Sequence, residues 1–337
     1  MSVVRPRVLA TQTADLQLAA ETLRAGGLVA FPTETVYGLG VHARDAAAVE
    51  RLFRVKGRPA DNPVIVHLAD LDALGQVAAQ VTPLARSLAA QFWPGPLTLV
   101  LPAHDEVPSA VTGGASTVGV RVPDHPVARA LLAAADLPVA APSANRSGRP
   151  SPTTAAHVTA DLGADVEVVV DGGACRLGLE STVVDARGRV PVVLREGAVT
   201  REDLGLDDRG SDRLLRASHP PTAPSPGTRY RHYAPRCAVE VVGPGQGRAI
   251  AALRARAGAH VGLVAAAPVG ADVGAAGDRV TVLAAFRTAG ELGQQLYGAL
   301  RRGEQAGVDV IVIEAVPDVG IGRAVMDRLR RAAGQLG

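Results

Sequence analysis

Aromatic side chains are scarce in this chain: only 3% of its 337 residues are Phe, Tyr or Trp. A core must therefore be built from Ala, Val and Leu. Cysteine is scarcer still. Two residues, Cys175 and Cys237, cannot make a disulfide framework or a four-cysteine zinc site. A reducing compartment is the default for such a chain. No run of about 18 strongly apolar residues occurs, so no membrane span is expected. The nearest approach, Ala257 to Ala271, is interrupted by Gly, Pro and His260. The N-terminal stretch lacks the apolar centre of a signal peptide, which places the expectation in the cytoplasm. Net charge is also nearly absent: 35 Lys and Arg against 33 Asp and Glu leave +2. No global field draws the chain to nucleic acid or membrane, so any polyanion site must come from a local cluster.

What is present is 47% hydrophobic and 20% charged residues, which excludes wholesale disorder. The 37 Gly and 24 Pro imply many tight turns. The length suggests two domains. In the first two hundred residues, strand-like runs at Leu28–Phe31, Val64–His67, Leu97–Leu101, Val118–Arg121, Val139–Ala141, Val166–Val170, Ser181–Val184 and Val192–Arg195 alternate with helical patterns. The helices fall at Asp15–Ala25, Ala46–Val55, Pro83–Phe92, Pro126–Ala134 and Thr153–Ala160, with a weaker one at Arg201–Leu204. Asp45 and Asp124 stand where N-caps belong. This interleaving predicts an open, twisted, mixed α/β sheet. The Pro-, Ser- and Arg-rich stretch 206–237 reads as a linker. Alternation resumes over 238–337, which predicts a small, doubly wound, Rossmann-like α/β domain.

No Walker A loop, nucleophile elbow or HExxH motif is present. Gly243 to Gly247 follows a strand and opens a helix, but a lone Gly-rich turn reads first as a turn. The run FPTETVYGLG, Phe31 to Gly40, is more informative. Thr33, Glu34, Thr35 and Tyr37 place hydroxyls and one carboxylate at a strand end, where α/β sheets hold ligands. That carboxylate could hold a substrate ammonium; the bland alternative is a turn with Thr caps. Lys56 and Arg58, separated by one Gly, can converge on an anion, although cations also suit a helix C-terminus. His67 ends a strand, a common place for a purely structural histidine. Ser143, Asn145, Arg146, Gly148, Arg149 and Ser151 supply short donors and close backbone approach, as an anion cradle requires. Arg121, the Glu180-Ser181-Thr182 segment and Arg195 add further strand-end polar groups. Together they imply an anion-binding concavity with room for a triphosphate.

These motifs, taken in order with NPxIVH, FWPGPLT, VGVRVPDHP, PSANRSGRPSPT, GLESTVVD and PGTRYRHYAP, resemble the threonylcarbamoyl-AMP synthase family in its long form, a YrdC-like domain followed by a second α/β domain. The resemblance spans essentially the whole chain and is strongest over residues 15–205. It implies a YrdC-like catalytic domain over 1–205, a linker or lid over 206–237, and the small domain over 238–337. It implies a nucleotidyltransferase that makes threonylcarbamoyl-adenylate and pyrophosphate from L-threonine, bicarbonate and ATP with Mg²⁺, and uses no organic cofactor. The product would pass to the machinery that modifies tRNA next to the anticodon, with weak RNA binding as a further expectation and no membrane partner. By the same resemblance Lys56 and Arg58 are catalytic. ATP contacts fall on Lys56, Arg58, Asn62, Thr117, Ser143, Asn145, Ser151 and Arg195, and on Tyr230 or Tyr233. L-threonine contacts fall on Thr35, His67, Arg121, Ala141 and Ser181. The departures are Glu196, where the family often has Pro, and Asp327, where it commonly has Asn. Two readings compete. A non-enzymatic RNA-binding module would need cations alone, which the TETVYG turn argues against. Carbamoyl-transfer maturation enzymes with a related domain carry zinc-binding cysteine pairs, which two cysteines cannot supply.

Overall fold

Val-rich strands and Ala-rich helices assemble into two units, seen in a computed structural model that describes residues 6–206, 233–267 and 279–335. The first unit comprises residues 1–147, 151–176 and 180–229; the second comprises 148–150, 177–179 and 230–337. Tyr230 and most of the linker lie outside the described residues.

The first unit holds one ten-stranded sheet. Its strands are β1 (Arg7–Leu9), β2 (Val29–Phe31), β3 (Gly38–His42), β4 (Ile65–His67), β5 (Leu97–Pro102), β6 (Thr117–Arg121), β7 (Val139–Ala140), β8 (Val168–Val170), β9 (Thr182–Asp185) and β10 (Val192–Arg195). Their order is β1-β8-β2-β3-β7-β4-β6-β5-β9-β10. Pairing is mixed: β4 runs parallel to β6, while β7 is antiparallel to both β3 and β4. The helices are α1 (Thr13–Arg24), α2 (Ala46–Lys56), α3 (Pro83–Phe92), the single turn α4 (Ser109–Thr112), α5 (Pro126–Ala135) and α6 (Ala155–Leu162). Strand alternation divides the core between two faces. Val29 and Phe31 of β2 pack with α1 and α5, whereas Leu28 and Ala30 pack with α2 and α3.

Local chemistry sets the ends of these helices. Asp45 caps α2 by accepting the Ala48 N–H at 3.0 Å, and Gly57 ends it in the left-handed region at φ 61°. That reversal turns the chain sharply between Lys56 and Arg58. Asp124 is not the cap of α5. His125 takes that place through the Val127 N–H, and Asp124 pairs with Arg176 at 2.8 Å. Segment 201–205 is a run of turns, not a helix. β3 was hidden in the sequence by its two glycines, which weaken a strand pattern. Gly40 is required there, because a Cβ would meet Phe31 and Val139 side chains within 3 Å.

The second unit is all parallel. Strands β11 (Ala238–Val242), β12 (Val261–Ala266), β13 (Val280–Phe286) and β14 (Val310–Glu314) take the order β11-β14-β12-β13, with helices α7 (Gly247–Arg256), α8 (Ala289–Gln305) and α9 (Ile321–Ala332). Glu314 ends β14 and is buried. Its carboxylate accepts the N–H groups of Gly247 and Ala266, each at 2.8 Å. A protein carboxylate thus fills the start of α7, the position where a phosphate-binding loop would hold its anion. The segment Gly243 to Gly247 is accordingly a turn. Tyr233, at φ 66°, stacks on Tyr297 with 5.4 Å between ring centroids, and the buried Arg328 guanidinium lies 5.6 Å from its ring. Among the described residues no helix is long and apolar enough to cross a membrane.

Candidate functional site

Two polar groups gather around β3, β4, β6 and β7, and a third lies on β5, β9 and β10. The first is the turn after β2. The Thr33 hydroxyl donates to Val36 O at 2.7 Å, so the 2.7 Å contact between the Thr33 and Thr35 hydroxyls is donated by Thr35. Thr35 Oγ1 in turn accepts from Arg121 Nη1 at 2.9 Å. Arg121 ends β6, donates from Nε to Gly95 O at 3.1 Å, and sets Nη2 2.6 Å from Glu34 Oε1. That ion contact is close but poorly aligned: Nη2 and both Glu34 carboxylate oxygens lack a hydrogen bond of good geometry. His67 stands beside Arg121 in the β4–β6 register. It is buried and its Nδ1 is unpartnered. Burial first, and the Arg121 charge second, push its imidazole down to about 3, so it is neutral. Ala141, following β7, donates its N–H to Ile65 O at 2.9 Å.

The second group lies at the end of α2. Lys56 is buried, and its ammonium donates to Ser143 O at 2.5 Å and to Asn145 O. Burial first, and Arg58 second, hold it well below the usual lysine value. Arg58 bridges Asn62 O at 3.1 Å and Pro63 O at 2.7 Å, and leans on the Phe53 ring at 5.8 Å. Asn62 is buried with Nδ2 unpartnered. An isolated bridge between Gly38 and Ser143, with Ala144 N donating to Tyr37 O, ties this loop to the first group.

The third group surrounds Ser181. Its hydroxyl meets Thr98 Oγ1 at 2.8 Å, and Arg195 Nη2 donates to its carbonyl at 2.9 Å. Ser151 Oγ donates to Glu180 Oε1 at 2.6 Å. Glu196 pairs with Arg201 at 2.7 Å, an ion pair that a proline could not supply.

The structure therefore brings together Thr35, His67 and Arg121; Lys56, Arg58, Asn62, Ser143 and Asn145; and Ser151, Ser181 and Arg195. Thr117 begins β6 while Arg121 ends it, about 13 Å away at ~3.3 Å per strand residue, so Thr117 lies outside the Thr35, His67 and Arg121 group. Two cations read as part of the cradle are already engaged: Arg146 pairs with Asp165 at 2.7 Å and Arg149 with Glu304 at 2.5 Å. Sequence reasoning left Thr98 without a site role and named Glu34 only as a carboxylate that could hold a substrate ammonium. Glu34 carried a signal, a carboxylate inside a polar turn, but Arg121, which gives it meaning, lies 87 residues away. A groove of about 460 Å³ lined by Arg51, Arg54 and Asp165 to Glu167 shares none of these side chains, and its Arg51 is paired with Glu167 at 2.5 Å.

Known proteins share this arrangement of segments. Residues 21–197 match the domain family described as telomere recombination, and residues 195–334 match the threonylcarbamoyl-AMP synthase C-terminal domain. The threonylcarbamoyl-AMP synthase of Pyrococcus abyssi is 45% identical over 328 residues, covering 95% of this chain and 94% of its own. That of Bacillus subtilis is 39% identical over 340 residues, covering 97% and 95%. The crystal structure of P. abyssi Sua5 complexed with L-threonine matches with a TM-score of 0.85 at 43% identity, covering 98% of this chain and 97% of that one.

Proposed function

This chain belongs to the threonylcarbamoyl-AMP synthase family, and on that footing we propose that its site joins L-threonine, bicarbonate and ATP into threonylcarbamoyl-AMP and pyrophosphate. One observation carries the reading: Glu34, Arg121, His67 and Asn62 bury polar atoms without aligned partners. Leaving such an atom unsatisfied costs about 1–3 kcal/mol, and a small zwitterion beside a polyphosphate offers the missing partners.

In this reading Arg121 receives the threonine carboxylate, with Thr35, His67, Ala141 and Ser181 forming the rest of that pocket. Lys56, Arg58, Asn62, Thr117, Ser143, Asn145, Ser151 and Arg195 hold the nucleotide. The threonine amine attacks the bicarbonate carbon to give a carbamate, and a carbamate oxygen attacks the α-phosphorus as pyrophosphate leaves. Negative charge accumulates on phosphate oxygens, so positioned cations supply most of the catalysis, with Lys56 and Arg58 foremost. Mg²⁺ bound to the nucleotide would supply further neutralisation of phosphate charge. The donors here are cations, amides and hydroxyls, which suit phosphate oxygens. Among the described residues no group of three or more His, Cys, Asp or Glu side chains is placed to hold a metal ion.

The division into a catalytic domain over 1–205, a lid over 206–237 and a small domain over 238–337 belongs to the same proposal. Tyr233 stacks on Tyr297 and has the Arg328 guanidinium 5.6 Å from its ring, and in this reading either Tyr233 or Tyr230 covers the nucleotide. The product is a mixed anhydride, and its consumer is a transferase that moves the threonylcarbamoyl group onto a tRNA adenosine in the cytoplasm. The deciding experiment measures pyrophosphate release from ATP. Release should require both L-threonine and bicarbonate; release indifferent to threonine would refute the reading.

A further inference from the structure

The turn after β2 offers the Glu34 carboxylate to a substrate ammonium, and its surroundings are the most demanding in the site. Its residue is 1% exposed, and neither carboxylate oxygen has an aligned hydrogen bond. The charged and titratable groups facing it are Arg121 from β6, His125 at the start of α5, and Cys175 from the segment before β9. A buried carboxylate that only anchored Arg121 would be expected to align with it. This one touches Nη2 at 2.6 Å off axis and keeps both oxygens available.

We propose that Glu34 binds the α-ammonium of L-threonine and accepts its proton before the amine attacks. The proposal rests on the threonine-site reading above. Attack requires a nitrogen lone pair, and an ammonium has none. Transfer converts the ammonium and the Glu34 carboxylate into a neutral amine and a carboxylic acid. The amine nitrogen then bonds to the bicarbonate carbon, one water leaves, and the N-carboxylate remains; the Glu34 proton is returned to solvent after turnover. In water this transfer is uphill; removing the ammonium–carboxylate pair from water favours it, and the Arg121 charge beside Glu34 opposes it until the threonine carboxylate engages that guanidinium.

The neighbours are poorer acceptors. A proton on His67 would set an imidazolium beside the Arg121 guanidinium, and burial already drives that ring down to about 3. His125 spends its Nδ1 on the Val127 N–H, and burial lowers it too. Burial pushes the Cys175 thiol up to about 12, so it holds its own proton. Arg121 is always charged. Glu34 completes the charge balance as well: with Arg121 it sums to zero, and zwitterionic threonine keeps the sum at zero.

The test compares wild type, Glu34→Gln and Glu34→Asp by pyrophosphate release between pH 6.5 and 10 at saturating ATP and bicarbonate, with kcat and KM for threonine separated. Positioned proton transfer is worth about 10²–10⁴-fold. Glu34→Gln should therefore lose about a hundredfold or more in kcat near pH 7. It should recover roughly tenfold per pH unit as solvent supplies free amine. Glu34→Asp should keep the wild-type profile at reduced kcat. A Glu34→Gln enzyme with the wild-type pH profile, whether unimpaired or raised only in threonine KM, overturns the proposal and leaves Glu34 as a support for Arg121. Absence of threonine-dependent release in the wild type would instead take down the site reading itself.

Discussion

Acid should weaken this protein through His67, and the size of the effect follows from its burial. The imidazole is 4% exposed and is held neutral down to about 3, against an ordinary value of 6.5. The unfolded chain takes up a proton as the pH falls through 6.5, whereas the folded chain does not until about 3. Stability from this residue is therefore fully present above 6.5 and is lost on acidification towards 3. One pKa unit corresponds to about 1.4 kcal/mol, so moving from pH 7 to pH 5 removes about 2 kcal/mol. For a unit of this size that is a melting shift of about 4–8 °C. The assay is urea or thermal unfolding at pH 7, 6 and 5 on wild type and His67→Gln. Glutamine cannot titrate, so its own cost is the same at every pH. His42 and His125, also lowered by burial, remain in both proteins and cancel. The two pH slopes should differ by about 2 kcal/mol across the range; parallel slopes would refute a buried, neutral His67.

Four further outcomes are expected. Burial beside Arg58 holds Lys56 below the usual lysine value, and phosphate favours its charged form. ATP affinity should therefore fall where Lys56 loses its proton, which the alkaline limb of an ATP-binding pH profile will show. Arg58→Ala should lose roughly ten- to a hundredfold in turnover, since charge-assisted hydrogen bonds are worth about 1.5–3 kcal/mol; circular dichroism checks that the fold is retained. Serine lacks only the methyl of threonine, so it should be poorer by about ten- to two-hundredfold in kcat/KM, and equal use would contradict a shaped pocket. Truncation ahead of Pro226 should leave a soluble first domain with poor adenylate synthesis, and ATP with threonine should slow proteolytic nicking between Leu206 and Pro226 in the full chain.

Much of this was legible in the sequence where the signal is local. Pro83 and the Thr82 cap fix the start of α3, and Asp45 fixes that of α2. The Val-rich runs gave most strands within a residue or two. β3 was missed because its glycines answer to Phe31 and Val139, which only tertiary packing brings near. The Lys56–Gly57–Arg58 corner could be suspected, but not that Lys56 would spend its ammonium on the carbonyls of Ser143 and Asn145. The same limit hid the Arg121 partner of Glu34, though not its carboxylate. A carboxylate in a turn is commonplace until a strand from 87 residues away sets a guanidinium against it. Electrostatic pairs of this kind depend on topology, and composition does not encode them.

Lys56 is also the only lysine in the chain; the remaining 34 basic residues of that class are arginines. Arginine resists acylation at neutral pH, so an amine-directed reagent finds one side-chain target and the α-amine. That target lies in the nucleotide corner and is buried, its ammonium held by the carbonyls of Ser143 and Asn145, so it meets reagent only when the corner opens. The rate of labelling at this one lysine therefore reports how often its proposed phosphate site opens, and a ligand that closes the corner should slow it.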